Sequence, residues 1–183
     1  MTDQTVHLSV RELVELIHRS GSIDNRFGGF DRANEGSRLH RKLQKEARGD
    51  YRAEVVLKGC FVVEGTQYEL EGRADGIFTE NGETVIDEIK TTCAPAELLT
   101  EDFSAAHWAQ AKCYGAFLCK AEHLAHVTLQ LTYVQADTEE IIRHRKRFSQ
   151  EDLEQFVLDT LLQYAPWQER RTLWLGLRTQ SLS

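Results

Sequence analysis

The chain has 183 residues, of which 41% are hydrophobic and 28% are charged, and its formal net charge at pH 7 is -7. This length and composition are typical of one globular domain with a sizeable core. The acidic balance excludes a protein that coats nucleic acid by bulk electrostatics, although it leaves room for a local basic track, and no run of residues approaches the roughly 20 apolar positions of a membrane helix.

Two helices are predicted before residue 50. Ser9 and Glu12 form a capping box for a helix over residues 10–20, and Gly21 supplies its end. A polar, glycine-rich loop follows, and a second helix, rich in basic residues, ends near Gly49.

A three-stranded antiparallel meander is predicted next. Between residues 53 and 92, β-branched and aromatic residues cluster in the pattern of strands. Turn signals at Glu64-Gly65 and Asn81-Gly82 divide this stretch into three segments.

The second half of the chain predicts a helix, two strands and a closing helix. Apolar and aromatic residues favour a helix over residues 104–120, and alternation with a period of two predicts strands at 126–135 and 139–148. Ser149 caps the last helix, which we expect to end at Pro166 because proline removes a helical hydrogen bond.

This order of elements predicts an α/β protein of the α+β kind, in which helices flank a mixed central sheet. We expect a single domain over residues 1–183. Within it we distinguish a helical part over about 1–50, a core over 51–165, and a tail or linker over 166–183. The start of the chain lacks the basic and apolar regions of a signal peptide, so we expect a cytoplasmic protein with no membrane partner.

Charged residues lie near the ends of the second and third strands of the meander. Counting back from the Asn81-Gly82 turn places Asp75 close to Asp87, Glu88 and Lys90. Side chains at i and i+2 of a strand share a face, so Glu88 and Lys90 point the same way and Asp87 points to the other side. Carboxylates that converge here repel each other unless a cation such as Mg²⁺ or Mn²⁺ offsets the charge. In the alternative interpretation, Asp75 serves the turn and Glu88 and Lys90 are a solvated pair.

Three motifs together resemble those of the RecB-like branch of the PD-(D/E)xK nucleases. The meander carries a D…ExK motif, the helix before it a G-x-x-x-H motif, and the helix after it a Q-x-x-x-Y motif, in the order of that family. The resemblance implies a restriction-endonuclease-like core. The residues that form the three motifs are Gly36 and His40, then Asp75, Glu88 and Lys90, then Gln110 and Tyr114.

The resemblance also implies a divalent metal site. The expected ligands are His40, Asp75, Glu88 and the backbone carbonyl of Ile89. Lys90 would position or deprotonate the attacking water, or stabilise the transition state. Each of these residues could instead have a purely structural role. Lys90, for example, could be a surface lysine at the edge of the sheet.

Gln110 and Tyr114 are four residues apart and share one helix face, where they can contact a phosphate or hold Lys90 in place. With Asp75, Glu88 and Lys90 they complete the expected catalytic set. A buried core role is the alternative for Tyr114. The residues expected to contact nucleic acid are Arg38, Arg41, Lys42, His107, Gln110 and Tyr114.

The function implied is a metal-dependent DNA nuclease of repair or recombination that hydrolyses phosphodiester bonds. Single-stranded DNA is the expected substrate. Residues 9–29 and 35–44 resemble a nuclease domain fused ahead of a DinG/XPD-type helicase, which makes such a helicase an expected partner. Some relatives carry an iron–sulfur cluster, but no cysteine precedes Cys60 or follows Cys119, so we expect none. The rival is a nucleic-acid-binding or interaction module that kept the fold without cutting. Exonuclease and endonuclease action, and DNA and RNA substrates, are alternatives that the sequence does not separate.

Overall fold

The structure, a computed structural model, describes residues 4–18, 30–47 and 49–181, with backbone alone at residues 30–34 and 179–181. Its strands are β1 (Thr5–Ser9), β2 (Arg52–Val63), β3 (Thr66–Glu80), β4 (Glu83–Thr92), β5 (His126–Gln135) and β6 (Ile141–Ser149). Its helices are α1 (Val10–Ile17), α2 (Phe30–Glu46), α3 (Ala105–Glu122) and α4 (Gln150–Ser181), with a 3-10 turn at Ala96–Leu98.

The strands of these ranges form one mixed sheet. β2, β3 and β4 are the predicted antiparallel meander, and β4 pairs in parallel with β5, whose other edge carries antiparallel β6. A parallel pair needs a long crossover, and α3 supplies it between β4 and β5. The predicted restriction-endonuclease-like fold, a mixed sheet flanked by helices, is therefore confirmed.

One edge of β3 is shared by two strands that leave a gap between them. β1 pairs with this edge from Gln67 to Glu71, and β4 pairs with it from Gly76 to Glu80. Between these two segments, at residues 72–75, the register gives the edge no strand partner. We call this gap, between the end of β1 and the second half of β4, the notch.

The two faces of the sheet carry different helices. The main core packs α1, α3 and α4 against one face through large buried side chains such as Leu13, Phe117 and Leu153. The other face carries α2, which docks through a small cluster of Leu39, Ile89 and Val134. The notch therefore has α3 on one side and α2 on the other.

The predicted capping box of α1 is present. The Glu12 backbone N–H donates to Ser9 Oγ at 3.1 Å, and the Ser9 N–H donates to a Glu12 carboxylate oxygen at 3.3 Å. The helix ends with His18 at its C-cap, and the predicted stop at Gly21 and the glycine-rich loop lie outside the described residues.

The strand β1 was not predicted. Its alternation is only five residues long, with Val6 and Leu8 buried and Thr5 and His7 exposed, and its partner in β3 is about sixty residues away in sequence. The strand exists because those two side chains complete the core, which a local pattern does not reveal.

The prediction that the last helix ends at Pro166 is wrong, because α4 continues to Ser181. The Tyr164 hydroxyl donates to Gln168 Oε1 at 3.2 Å, and this contact spans the proline. Before the proline, Tyr164 packs edge-on against Tyr68 at a centroid distance of 6.1 Å. Tertiary packing before Pro166 and a side-chain contact across it thus offset the loss of the backbone hydrogen bond that proline cannot make.

Within the described residues, no helix has the length and apolar character needed to cross a membrane.

Candidate active site and metal centre

Asp75 lies in the notch where β3 and β4 separate. Gly76 still pairs with the backbone of Asp87. One residue earlier in β3, the side chain of Asp75 contacts β4 instead, and its Oδ2 accepts a hydrogen bond from the Ile89 backbone N–H at 2.7 Å. The Asp75 carbonyl accepts from the Gln44 amide of α2 at 2.9 Å. Asp75 is thus held through its side chain by β4 and through its backbone by α2, and its Oδ1 remains directed toward α2.

A chain of polar contacts connects β4 to α3 on the other side of the notch. The Lys90 ammonium lies 2.8 Å from Glu88 Oε1 and donates to Gln110 Oε1 at 2.9 Å. The Gln110 amide donates in turn to the Tyr114 hydroxyl at 3.0 Å. Four of the five residues predicted from the D…ExK and Q-x-x-x-Y motifs, all except Asp75, are therefore connected by direct contacts.

Glu88 is the most buried of these groups, with 2% of its side chain exposed. Burial raises the pKa of Glu88 to about 7, against the opposing effect of the Lys90 charge. Its Oε1 faces Lys90, while its Oε2 is buried without a hydrogen-bond partner in the described part of the chain. A buried carboxylate oxygen in that condition is costly unless a cation binds it.

His40 reaches the notch from α2. Its neighbour Leu39 is buried against Ile89 and Val134, which fixes this turn of the helix over β4. His40 Nε2 lies 3.0 Å from Asp75 Oδ1, but the contact lacks hydrogen-bond geometry, so the nitrogen is buried without a hydrogen-bond partner. The close Asp75 carboxylate, with smaller contributions from Glu88 and Glu54, raises the pKa of His40.

These residues fit a divalent cation. Among the side chains that the structure describes, two buried polar atoms lack a hydrogen-bond partner, His40 Nε2 and Glu88 Oε2, and both belong to predicted metal ligands. Imidazole nitrogen and carboxylate oxygen are ligands that such ions accept. The carbonyl of Ile89 remains a prediction, since the described contact to Asp75 is made by its N–H.

Glu54 of β2 is a candidate site residue that sequence reasoning missed. One ligand atom each from His40, Glu54 and Asp75 lie within 4.8 Å of one another, and Glu88 is not a member of this group. In the sequence Glu54 is one polar residue among several in an alternating strand, with no motif around it. Its position directly across from Asp75 follows only from the register of β2 with β3.

Asp87 faces away from this centre, as strand alternation predicts. Its carboxylate accepts hydrogen bonds from Tyr51, Gln130 and Thr132 at 2.5–3.1 Å. Three donors satisfy a buried carboxylate without a metal. Asp87 is therefore part of the packing between β4, β5 and the residues before β2.

The basic residues predicted to contact nucleic acid are exposed on α2, and two of them have acidic partners. Arg38 and Lys42 both contact the carboxylate of Glu139, from the turn between β5 and β6, at 2.8 and 3.2 Å. Arg41 donates to the Ser37 carbonyl, and no described carboxylate pairs with it. Of the three, Arg41 is the cation most available to a phosphate.

His107 and Gly36 have contacts that the sequence did not predict. The His107 ring lies 2.9 Å from the Tyr133 hydroxyl and packs near Phe103, on the α3 face that also carries Gln110. A Cβ at Gly36 would be 3.6 Å from Thr91, an ordinary contact, so close packing of α2 does not require glycine there.

Comparisons with known proteins bear on the fold. No family model matches the sequence, and no curated protein matches it. The crystal structure of SSO0001 superposes with a TM-score of 0.54 at 20% identity, over 85% of this chain and 75% of that one. An alkaline exonuclease, LHK-Exo from Laribacter hongkongensis, gives a TM-score of 0.49 at 11% identity, over 97% and 95%. At 20% identity, the similarity to SSO0001 concerns the fold alone.

Proposed function

We propose that this protein is a metal-dependent DNA nuclease that hydrolyses phosphodiester bonds in the notch. The observation that carries the proposal is that two buried atoms beside the Asp75 carboxylate, His40 Nε2 and Glu88 Oε2, have no hydrogen-bond partner among the described residues. Acidic and imidazole ligands around an open notch, with a lysine at its edge, suit phosphodiester hydrolysis. The family assignment to RecB-like PD-(D/E)xK nucleases is part of this proposal.

His40, Asp75 and Glu88 would hold the cation, with the Ile89 carbonyl as a further ligand. A bound Mg²⁺ or Mn²⁺ would supply a positive charge that polarises the phosphate. The hydrogen bond from the Ile89 N–H to Asp75 Oδ2 keeps the other oxygen, Oδ1, directed at His40. Asp75 thus has one oxygen for the fold and one for the cation.

Lys90 would act on the reacting phosphate or water. An ammonium has three N–H donors, and in the described residues two of them are directed at Glu88 and Gln110. The third is available to a phosphate oxygen or to the attacking water. Gln110 and Tyr114 would act as positioning residues, since they reach the reaction through Lys90.

The substrate proposed is DNA, and single-stranded DNA in particular, in repair or recombination. Arg41 on α2 would contact the strand, whereas Arg38 and Lys42 would have to exchange Glu139 for a phosphate. A DinG/XPD-type helicase as partner rests on the sequence resemblance alone, and part of that resemblance lies outside the described residues.

The test is cleavage of end-labelled single- and double-stranded DNA of the same sequence, with Mg²⁺, Mn²⁺ or EDTA. We expect cleavage that requires the metal and is faster on the single strand. The product ladder then separates exonuclease from endonuclease action. Binding of DNA without cleavage under any metal would contradict the proposal and favour a binding module.

Tyr114→Phe is expected to lower kcat on DNA about tenfold with little change in KM. The variant removes the hydroxyl that accepts from Gln110, and Gln110 in turn holds Lys90. The ring would still pack over Gly72, so unfolding stability should change by no more than about 1.5 kcal/mol. Tyr164→Phe, which loses a hydroxyl contact to Gln168 in α4, is the matched control and should cut at the wild-type rate. Equal loss in both variants would contradict the positioning role.

A further inference from the structure

Glu54 has a backbone conformation that its surroundings must impose. Its φ is 57°, in the left-handed region that residues with a side chain rarely adopt, in a residue assigned to strand β2. The pairs on either side of it, Ala53 with Gly76 and Val55 with Ala74, keep the regular register. Strain of this kind near the start of an otherwise regular strand points to a functional constraint.

The side chain of Glu54 is held from two directions. Its Oε1 accepts from the Gln44 amide at 2.8 Å, and its Oε2 lies 2.7 Å from Arg73 Nε. The same Gln44 amide donates to the Asp75 carbonyl, so one α2 side chain connects both acids. Each carboxylate oxygen has a second lone pair, so these contacts leave capacity for a ligand.

The Glu54 carboxylate lies close enough to His40 and Asp75 for the three residues to bind one cation. A ligand atom of Glu54 lies within 4.8 Å of one from His40 and one from Asp75, and the contact between His40 Nε2 and Asp75 Oδ1 lacks hydrogen-bond geometry. Three donors from α2, β2 and β3 thus converge from different directions. The His40 Nε2 atom that faces these carboxylates is buried and makes no hydrogen bond within the described residues, and the same holds for Oε2 of the neighbouring Glu88, whose side chain is 2% exposed.

We propose that Glu54 is a direct ligand of the divalent cation, together with His40 and Asp75. The inference deepens the proposed function, on which it rests, by adding a ligand from β2 that the D…ExK motif does not contain. Arg73 and Gln44 are then positioning residues that hold the Glu54 carboxylate toward the cation. The left-handed backbone at residue 54 is retained because it directs the side chain to that place.

The test is Mn²⁺ affinity measured by calorimetry on the whole chain without DNA, so that the readout does not depend on cleavage. Glu54→Gln should weaken Mn²⁺ binding at least about tenfold. Glu71→Gln is the matched control, because Glu71 is an exposed β3 glutamate in a similar ion pair, with Lys58 at 3.1 Å. It should bind Mn²⁺ like the wild type.

The outcomes separate this inference from the proposed function. If Asp75→Asn loses Mn²⁺ binding while Glu54→Gln keeps it, the Glu54 ligand is refuted and the metal site stands. If the wild type does not bind Mn²⁺, both fail.

A second variant covers the case in which Glu54→Gln does not fold. Glu54→Gly relieves the left-handed backbone, so its Tm in EDTA should rise, and the further rise in Tm on adding Mn²⁺ should shrink. An unchanged Mn²⁺ effect on Tm in Glu54→Gly would overturn the proposal.

Discussion

Replacement of Lys90 by methionine is expected to lower the rate of DNA cleavage by at least about 100-fold, which is the usual cost of removing one preorganised donor to the reacting group. Methionine keeps much of the length of the side chain but removes the ammonium that lies between Glu88 and Gln110. Lys90 is not a metal ligand in this account, so the affinity for Mn²⁺ should persist. Cleavage of labelled DNA and Mn²⁺ calorimetry measure the two effects separately.

Lys112→Met is the control for loss of a half-buried lysine. Lys112 lies two residues from Gln110, and at 100° per residue it projects from the opposite side of α3, where its ammonium lies 4.6 Å from the Phe156 ring centroid. This variant should cut at the wild-type rate. Lys90→Met also leaves the buried Glu88 carboxylate without the Lys90 ammonium as its partner, which can destabilise the fold. Both variants must therefore be assayed below their unfolding temperatures. Wild-type cleavage by Lys90→Met would contradict its catalytic role.

Gly76→Ala is expected to reduce the free energy of unfolding by about 3 kcal/mol, from overpacking and a weakened hydrogen bond to a buried carboxylate. The ring and hydroxyl of Tyr51 cover Gly76 so closely that a Cβ there would overlap both. To make room Tyr51 must turn away, which breaks its hydrogen bond to Asp87 Oδ2 at 3.1 Å and its stacking on Phe78. Urea unfolding monitored by circular dichroism measures the loss.

A double-mutant cycle tests the cause assigned to Gly76. With Tyr51→Ala in place the overlap is gone, so adding Gly76→Ala should cost little more, and the two effects should fall well short of additive. Gly176→Ala lies in α4, where an added Cβ would meet nothing within 4 Å beyond its chain neighbours and the helix's own backbone, and it should instead stabilise by about 0.5–1 kcal/mol. Additive losses at positions 76 and 51 would refute this explanation.

The meander and its charged residues were predictable because they depend on local rules. A two-residue turn at Asn81-Gly82 fixes the register of β3 with β4, and strand alternation then separates Glu88 and Lys90 from Asp87. The contacts among Glu88, Lys90, Gln110 and Tyr114 follow once α3 crosses the same face.

The missed features depend on distant parts of the chain. Val6 and Leu8 of β1 are buried because β1 pairs with a strand about sixty residues later in the chain. Glu54 lies at the candidate site because of the register of β2 and an unusual φ. The pairing of Arg38 and Lys42 with Glu139 likewise joins α2 to a turn about a hundred residues later. Neither the composition nor the hydrophobic periodicity of the sequence predicts such contacts.

The most direct test of the central claim compares two aspartates that lie close together on β3 and β4. Asp75 faces His40 in the notch, whereas Asp87 is satisfied by Tyr51, Gln130 and Thr132 on the other side. Cleavage of end-labelled single-stranded DNA with Mn²⁺ should therefore be abolished in Asp75→Asn and retained in folded Asp87→Asn. Wild-type cleavage by Asp75→Asn, or loss of cleavage by a folded Asp87→Asn alone, would contradict the account.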